Sequence, residues 1–230
     1  MTAGVMRDAD AVRYIVLRKL ASGLRHTLMG ELQSIQFLAE LGGRLLRSGT
    51  DDAKTRDCLD KIPLATGEAI ETCHSVIEWL RPEEGATTTI SEAVGQCVKL
   101  AGDDWRMRAI RASVAVADSA AEARVTKVAT RELVVTSLLV LTDLYPKSLD
   151  IEITADLSGE RVLLCLRARV SSRVSPFAPA TIYHALGWGD IAVLAAAHGV
   201  PCSHENDTIT LDLAVRVVTP EAGWAGPSRP

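Results

Sequence analysis

The chain has 230 residues, of which 47% are hydrophobic and 23% are charged, and its formal net charge is −4. This composition is ordinary for a globular protein of one or two domains. Because the basic residues are scattered and the net charge is negative, neither a nucleic acid nor an anionic membrane is an expected partner.

The first residues, MTAGVMRDADAVRY, lack the apolar run of a signal peptide, and the longest apolar stretches are too short to span a bilayer. We therefore expect a cytoplasmic protein. The five cysteines are widely spaced and include no C-x-x-C pair. They predict buried thiols instead of a disulfide framework or a zinc site.

Two long helices are predicted in the first third of the chain. Apolar residues recur at steps of three and four through residues 12–46, namely at Leu17, Leu20, Leu24, Leu28, Leu32, Ile35, Leu38 and Leu45. A second helix is predicted from Thr50 or Asp51 to Pro82, with a kink or an irregular turn at Pro63. Because such a pair leaves an apolar seam exposed, we expect residues 1–82 to form a dimeric four-helix bundle.

The pattern changes after residues 81–89, RPEEGATTT, which we interpret as a linker. The following residues predict a helix over 90–102, a strand over 110–117 and a buried helix over 127–145. A strand hairpin over 149–170, a helix over 189–199 and a closing strand over 207–217 complete the pattern. Residues 83–218 are thus predicted to be a mixed sheet covered by helices, and residues 219–230 a frayed tail.

His26 is the candidate functional residue. At about 100° per residue, its side chain lies about 200° from Leu24, on the opposite side from the apolar stripe. The residues that share its face predict a partner-binding surface, because they combine cations with apolar side chains. They are Lys19, Ser22, Arg25, Met29, Gln33 and Phe37.

A helical hairpin with a histidine in its first helix, followed by an α/β domain, resembles the dimerisation and catalytic domains of sensor histidine kinases. The segment HTLMGELQSI keeps His26, Leu32 and Ile35 of the family's pattern around the phospho-accepting histidine. It has Thr27 where the kinases carry an acidic residue, and Gly30 and Glu31 where Thr or Asn and Pro are expected. The departure at Thr27 removes the carboxylate that usually acts as a base in kinases.

The nucleotide-binding motifs of that family are also incomplete. Ser137 and Leu141 stand where the resemblance places asparagines, one of which binds magnesium, and no Asp-x-Gly-x-Gly segment follows the strand at 161–170. Only Gly187 and Gly189 remain of the late Gly-Leu-Gly-Leu segment. The resemblance therefore implies an α+β chain whose second domain is a degenerate Bergerat-type α/β sandwich, with no useful ATP binding and no cofactor.

A kinase-like fold with an intact histidine and no ATP site resembles the ChpT-like bacterial histidine phosphotransferases. That resemblance implies a homodimer in which His26 accepts phosphoryl groups from response regulator receiver domains, with magnesium bound by the receiver. A neutral imidazole suffices for such an attack. Two alternatives stay open: a pseudokinase scaffold that binds a receiver or a kinase without transfer, and an active histidine kinase with a divergent nucleotide pocket.

The other histidines suggest weaker hypotheses. His74 competes with His26, but its neighbours in ETCHSVIEW are core positions, which favours a structural role. His184, His198 and His204 have no cysteine or acidic residue at ligand spacing, so no metal site is predicted. Glu31 falls inside the apolar stripe, where either a partner on a facing helix or a local break in the bundle would explain it.

Overall fold

The computed structural model describes residues 3–49, 52–80, 83, 85–102, 105, 109–145, 148–172 and 185–216. Its helices are α1 (Ala3–Ser48), α2 (Asp52–Leu80), α3 (Ile90–Gly102), α4 (Asp118–Ala121), α5 (Lys127–Leu144) and α6 (Trp188–His198). Its strands are β1 (Thr87–Thr89), β2 (Arg111–Val116), β3 (Arg124–Thr126), β4 (Leu149–Ser158), β5 (Arg161–Val170), β6 (Cys202–Glu205) and β7 (Thr208–Ala214). The chain is therefore an α+β protein with a helical hairpin at its start.

Helices α1 and α2 pack antiparallel. The Thr72 hydroxyl donates to Glu31 Oε1 at 3.0 Å, and Cys58 Sγ donates to the Leu38 carbonyl at 3.2 Å. Because α2 runs back along α1 from these contacts, its end at Leu80 lies at the level of about residue 23 of α1. About the first twenty residues of α1 therefore extend beyond the hairpin.

The second part of the chain contains a five-stranded mixed sheet in the order β2-β4-β5-β7-β6. Strand β2 is parallel to β4, and the other neighbours are antiparallel. One face of the sheet is apolar because alternate residues point to it, and Ile153, Leu166 and Ile209 on that face are buried. The strand hairpin closes at Gly159, whose φ of 60° favours glycine.

The core of the sheet domain includes the first half of α1. Helix α5 is buried on nearly all sides, which agrees with its lack of a polar face. The same core cluster contains Ala9, Val12, Val16, Leu20 and Leu24. The division of the chain at residues 82 and 83 stays a prediction, but residues 9–24 clearly contribute to the core of the α/β domain.

Several predicted elements agree with the structure, and the differences are local. The long helices, α3, α5, the strand hairpin and α6 lie where the sequence predicts them, although α1 begins earlier, at Ala3. The predicted linker is wrong at its end, because Thr87–Thr89 form β1, which pairs with β3. Helix α2 continues through Pro63 without interruption. The segment before Ala185 and the tail from residue 217 lie outside the described residues.

The cysteines differ in exposure. Cys58 and Cys97 are buried, but Cys73 is exposed, which corrects the prediction that all five are buried thiols. Burial raises the pKa of the Cys97 thiol to about 12, and the nearby Arg131 charge only partly opposes this effect. Cys97 is therefore present as the unreactive thiol at neutral pH.

At a dilution at which the chain is monomeric, we expect a thiol reagent to modify Cys73 rapidly and Cys97 only after unfolding, because the thiolate is the reactive species and Cys97 is inaccessible. Mass spectrometry of peptides from the labelled native protein measures both sites. Equal rates at Cys73 and Cys97 would contradict the burial of α3 against α5. Cys73→Ser is the control that assigns the rapid modification to Cys73.

Candidate functional site

His26 lies in the middle of α1 and is exposed. Gly30, one turn further along the helix, has open space where a side chain would begin. Within the described part of the chain, no hydrogen bond or ion pair engages the imidazole of His26. The ring is therefore accessible to a reactant that approaches α1 from solvent.

Most of the predicted partner-binding residues surround His26 at the surface. Arg25, Met29, Gln33 and Phe37 are exposed, as helical periodicity predicts. Phe37 is 63% exposed, a large value for an aromatic side chain. The side chain of Ser22 lies outside the described residues. The role of all these residues in binding a partner stays a prediction.

Lys19 differs from the other members of this face. Its ammonium group contacts the Asp143 carboxylate at 2.9 Å, and the lysine side chain is only 17% exposed. The expectation of a solvent-facing lysine is therefore wrong, because the end of α5 covers this part of α1. Helical periodicity gave the direction of Lys19 correctly but could not show that a distant segment lies there.

Glu31 has a partner on the facing helix, which is one of the two explanations for its position. Its Oε1 accepts the hydrogen bond from Thr72 of α2. The other oxygen, Oε2, is buried and has no hydrogen-bond partner among the described residues. The Glu31–Thr72 contact thus places a polar link between α1 and α2, where it helps to fix the alignment of the two helices.

The two residues at the expected asparagine positions cannot bind a metal ion from where they lie. Ser137 and Leu141 are both 0% exposed in the middle of α5. Leu141 has no ligand atom, and the Ser137 hydroxyl is enclosed by protein. Among the described residues, no group of three His, Cys, Asp or Glu side chains is arranged to hold a metal ion.

A buried ionic cluster joins α1, α5 and α6. Glu132 of α5 accepts hydrogen bonds from Arg13 Nε at 3.0 and 2.9 Å and contacts His198 Nε2 at 2.7 Å. Arg13 also donates to Asp10 at 2.9 Å. No sequence pattern predicted this cluster, although the carboxylate of Glu132 in the apolar run RELVVTSLLVL was a signal, because a buried charge requires partners.

The partners of Glu132 determine its ionisation. Burial by itself raises the pKa of the Glu132 carboxyl, but hydrogen bonds from His198 and Arg13 and the Arg13 charge outweigh burial. The pKa of Glu132 is therefore lower than its ordinary value. A lowered pKa in the folded state means that Glu132 stabilises the fold above its ordinary pKa, and that this contribution is lost at acid pH.

We expect the wild type to lose more stability than Glu132→Gln when the pH falls from about 5 to about 3, because only the wild type must protonate this carboxylate. Urea unfolding at several pH values measures the difference. Glu205→Gln, at an exposed position, is the control for general acid effects. Parallel stability curves for wild type and Glu132→Gln would contradict an ionised Glu132 in this cluster.

A separate polar cavity of about 560 Å³ opens where strands β5 and β6 end and β7 begins. Arg167 in its wall donates to Thr208 at 3.2 Å, and Arg169 is 3.5 Å from Glu152. None of the predicted site residues lines this cavity.

The described helices include none that is long and apolar enough to cross a membrane.

Comparisons with known proteins give only distant similarities. No protein-family model matches the sequence, and no curated protein matches it. The chain is similar to the histidine kinase AdeS of Acinetobacter baumannii, with a TM-score of 0.42 and 10% identity over 81% of this chain and 98% of that one. It is similar to a bacterial phosphotransferase, with a TM-score of 0.40 and 16% identity over 93% of this chain and 97% of that one.

A third similar structure is the histidine kinase ThkA in complex with the response regulator protein TrrA. Its TM-score is 0.41, with 14% identity over 94% of this chain and 67% of that one. TM-scores below 0.5 at such identities do not establish a shared fold or function. The functional assignment therefore depends on the residues of this chain.

Proposed function

We propose that the protein is a histidine phosphotransferase that relays phosphoryl groups between response regulator receiver domains, with His26 as the phospho-acceptor and without ATP. The exposure of His26 on a long helix is the observation that carries the proposal. An unengaged imidazole on a helix can enter the active site of another protein, whereas a buried one cannot. The exposed residues around it offer an apolar and basic surface for docking.

The reaction requires little from this chain. A ring nitrogen of His26 attacks the phosphorus of the receiver's aspartyl phosphate, a nitrogen–phosphorus bond forms, and the bond between phosphorus and the aspartate oxygen breaks. The aspartate leaves as a carboxylate, and the proton on the other ring nitrogen passes to solvent. The receiver supplies its magnesium ion, so the burial of Ser137 and Leu141 does not prevent this reaction.

Incubation of the protein with phosphorylated receiver domains tests the proposal. We expect acid-labile label to appear on this chain, because a phosphoramidate is hydrolysed by acid. Mass spectrometry then locates the label. If the protein binds receivers but never becomes labelled, the scaffold alternative is correct, since Met29 and Phe37 would serve a scaffold equally well.

We expect ATP to bind no better than about 1 mM, because the asparagine that would bind magnesium is replaced by a buried leucine and no adenine-binding aspartate is present. Isothermal titration calorimetry with ATP and magnesium measures this affinity. A micromolar dissociation constant would contradict the prediction and would favour the alternative of an active kinase.

The homodimer belongs to the same proposal, and the pattern of exposed apolar residues supports it. One stripe of α2 faces α1 and is mostly buried, for example at Cys58, Ala69 and Thr72. A second stripe runs beside it with the same heptad spacing and is exposed or half-buried in the described part of one chain. It comprises Leu59, Pro63, Thr66, Ile70, Cys73 and Ile77.

Helix α1 carries a matching stripe. Its members recur at steps of four and three, as in helices that pack against two neighbours. The uncovered members are Leu28, Leu32, Ile35, Ala39 and Leu46, whereas Gly42, at the same spacing, is already buried against Leu59 of α2. A second copy of the hairpin would cover both stripes and complete a four-helix bundle, and His26 would remain outside it.

A further inference from the structure

The part of α1 that extends beyond α2 is buried by the α/β domain. Val12, Val16 and Leu20 are at most 5% exposed, although α2 ends near the level of residue 23. An isolated helix of about twenty residues is marginal in water, and an apolar stripe would not be left uncovered. The first half of α1 therefore depends on α5 and α6 for its stability.

The first ionic link between α1 and this domain is the cluster around Glu132. The carboxylate is 7% exposed and has Arg13 of α1 and His198 of α6 as partners. If α1 moved away, Glu132 would lose the guanidinium that contacts both of its oxygens. The Nε–H of Arg13 is shared between these two oxygens, and a charge-assisted hydrogen bond of this kind constrains the orientation of the two elements.

The second link lies about one and a half turns further along α1. Lys19 contacts Asp143, a side chain that is 5% exposed and that also accepts a hydrogen bond from the backbone amide of Leu186 at 2.8 Å. Asp143 therefore connects α1 with both the end of α5 and the segment that precedes α6. Because the two links lie at different positions along α1, the helix cannot rotate about either link alone.

We propose that these links, Arg13–Glu132–His198 and Lys19–Asp143, form an interdomain clamp. The clamp holds the first half of α1 on α5 and α6, so that the α/β domain moves with the helix that carries His26 and does not swing freely on the linker after α2. The charged groups have a role that apolar packing lacks, because they define the direction and the register of α1. The surface of α5 and α6 that faces α1 is thereby closed to other ligands.

Hydrogen exchange of the full-length protein tests the clamp. In Lys19→Met and Arg13→Met, which keep the apolar stems and remove the charges, we expect amides of α1 residues 9–24 and of α6 to exchange roughly tenfold faster or more. Amides of α2 should keep their wild-type rates, because α2 does not contact either link. The radius of gyration from X-ray scattering should increase in the double variant.

Lys61→Met is the matched control. Lys61 also forms a close ion pair, with Asp57 at 2.7 Å, but both side chains are exposed on α2. Its removal should leave all exchange rates unchanged, since such surface pairs contribute little. Lys19→Arg, which keeps the charge, should restore the protection of residues 9–24.

Unchanged exchange in both Lys19→Met and Arg13→Met would overturn the proposal and would show that apolar packing alone holds the domain. If the double variant does not fold, Asp143→Asn decides the question, because the amide oxygen can still accept from Leu186 while the charge is lost. Since none of these measurements involves phosphate, a failure of the clamp leaves the phosphotransfer proposal untouched, and the reverse is also true.

Discussion

His26→Ala is expected to abolish phosphoryl acceptance completely while the protein stays folded. The side chain is exposed, so its removal should change the free energy of unfolding by no more than about 0.5 kcal/mol. Acceptance should be lost and not merely weakened, because the nitrogen that forms the bond to phosphorus is gone. Transfer from a phosphorylated receiver, followed by gel electrophoresis at neutral pH, measures the effect.

His74→Ala is the matched control, since His74 is also an exposed histidine on the helical hairpin. It should accept phosphate at the wild-type rate. Labelling of His26→Ala together with loss of labelling in His74→Ala would mean that the acceptor lies on α2. Both variants need a thermal unfolding curve and a mass measurement in solution, so that misfolding is not mistaken for lost chemistry.

Ile70→Asp is expected to convert a dimer into monomers. Ile70 is 52% exposed in one chain and lies in the middle of the unpartnered stripe of α2. In the proposed bundle it would be buried, and an unpaired carboxylate there would cost about 3–5 kcal/mol for each copy. Light scattering at micromolar concentration should show the mass of a dimer for the wild type and of a monomer for the variant.

Leu64→Asp is the control for this substitution. Leu64 is 69% exposed on the same helix but lies outside the heptad stripe. The same change of charge should leave the dimer intact there. A monomeric wild type, or equal effects of the two substitutions, would contradict a dimer built on this stripe. The clamp between α1 and α5 should be unaffected in both variants.

Periodicity predicted the long elements well because each of them buries one continuous stripe or alternates along a strand. It missed β1, β3 and β6, which have three or four residues each, too few to establish a period. Pairing with adjacent strands, and not a sequence period of their own, makes these segments strands. The run of threonines at 87–89 gave no signal of its pairing with Arg124–Thr126, which depends on the rest of the domain.

For a related reason, the exposure of some residues of the candidate site was predicted correctly and that of Lys19 was not. The direction of a side chain on a helix follows from local geometry, so the exposure of His26, Met29 and Phe37 was predictable. Whether that direction is open to solvent depends on residues far away in the sequence. Lys19 meets Asp143 across 124 positions, and no local pattern contains that information.

The burial of the first half of α1 has a consequence for how the chain reaches its native state. Arg13 and His198 lie 185 positions apart, so the start of α1 meets α6 only after nearly all of the described chain has been synthesised. Contacts of such long sequence separation form late, since closing a long loop is entropically unfavourable. Until α5 and then α6 have been synthesised, Val12, Val16 and Leu20 lack the surface that buries them in the native protein, so we expect the nascent chain to expose this segment to chaperones.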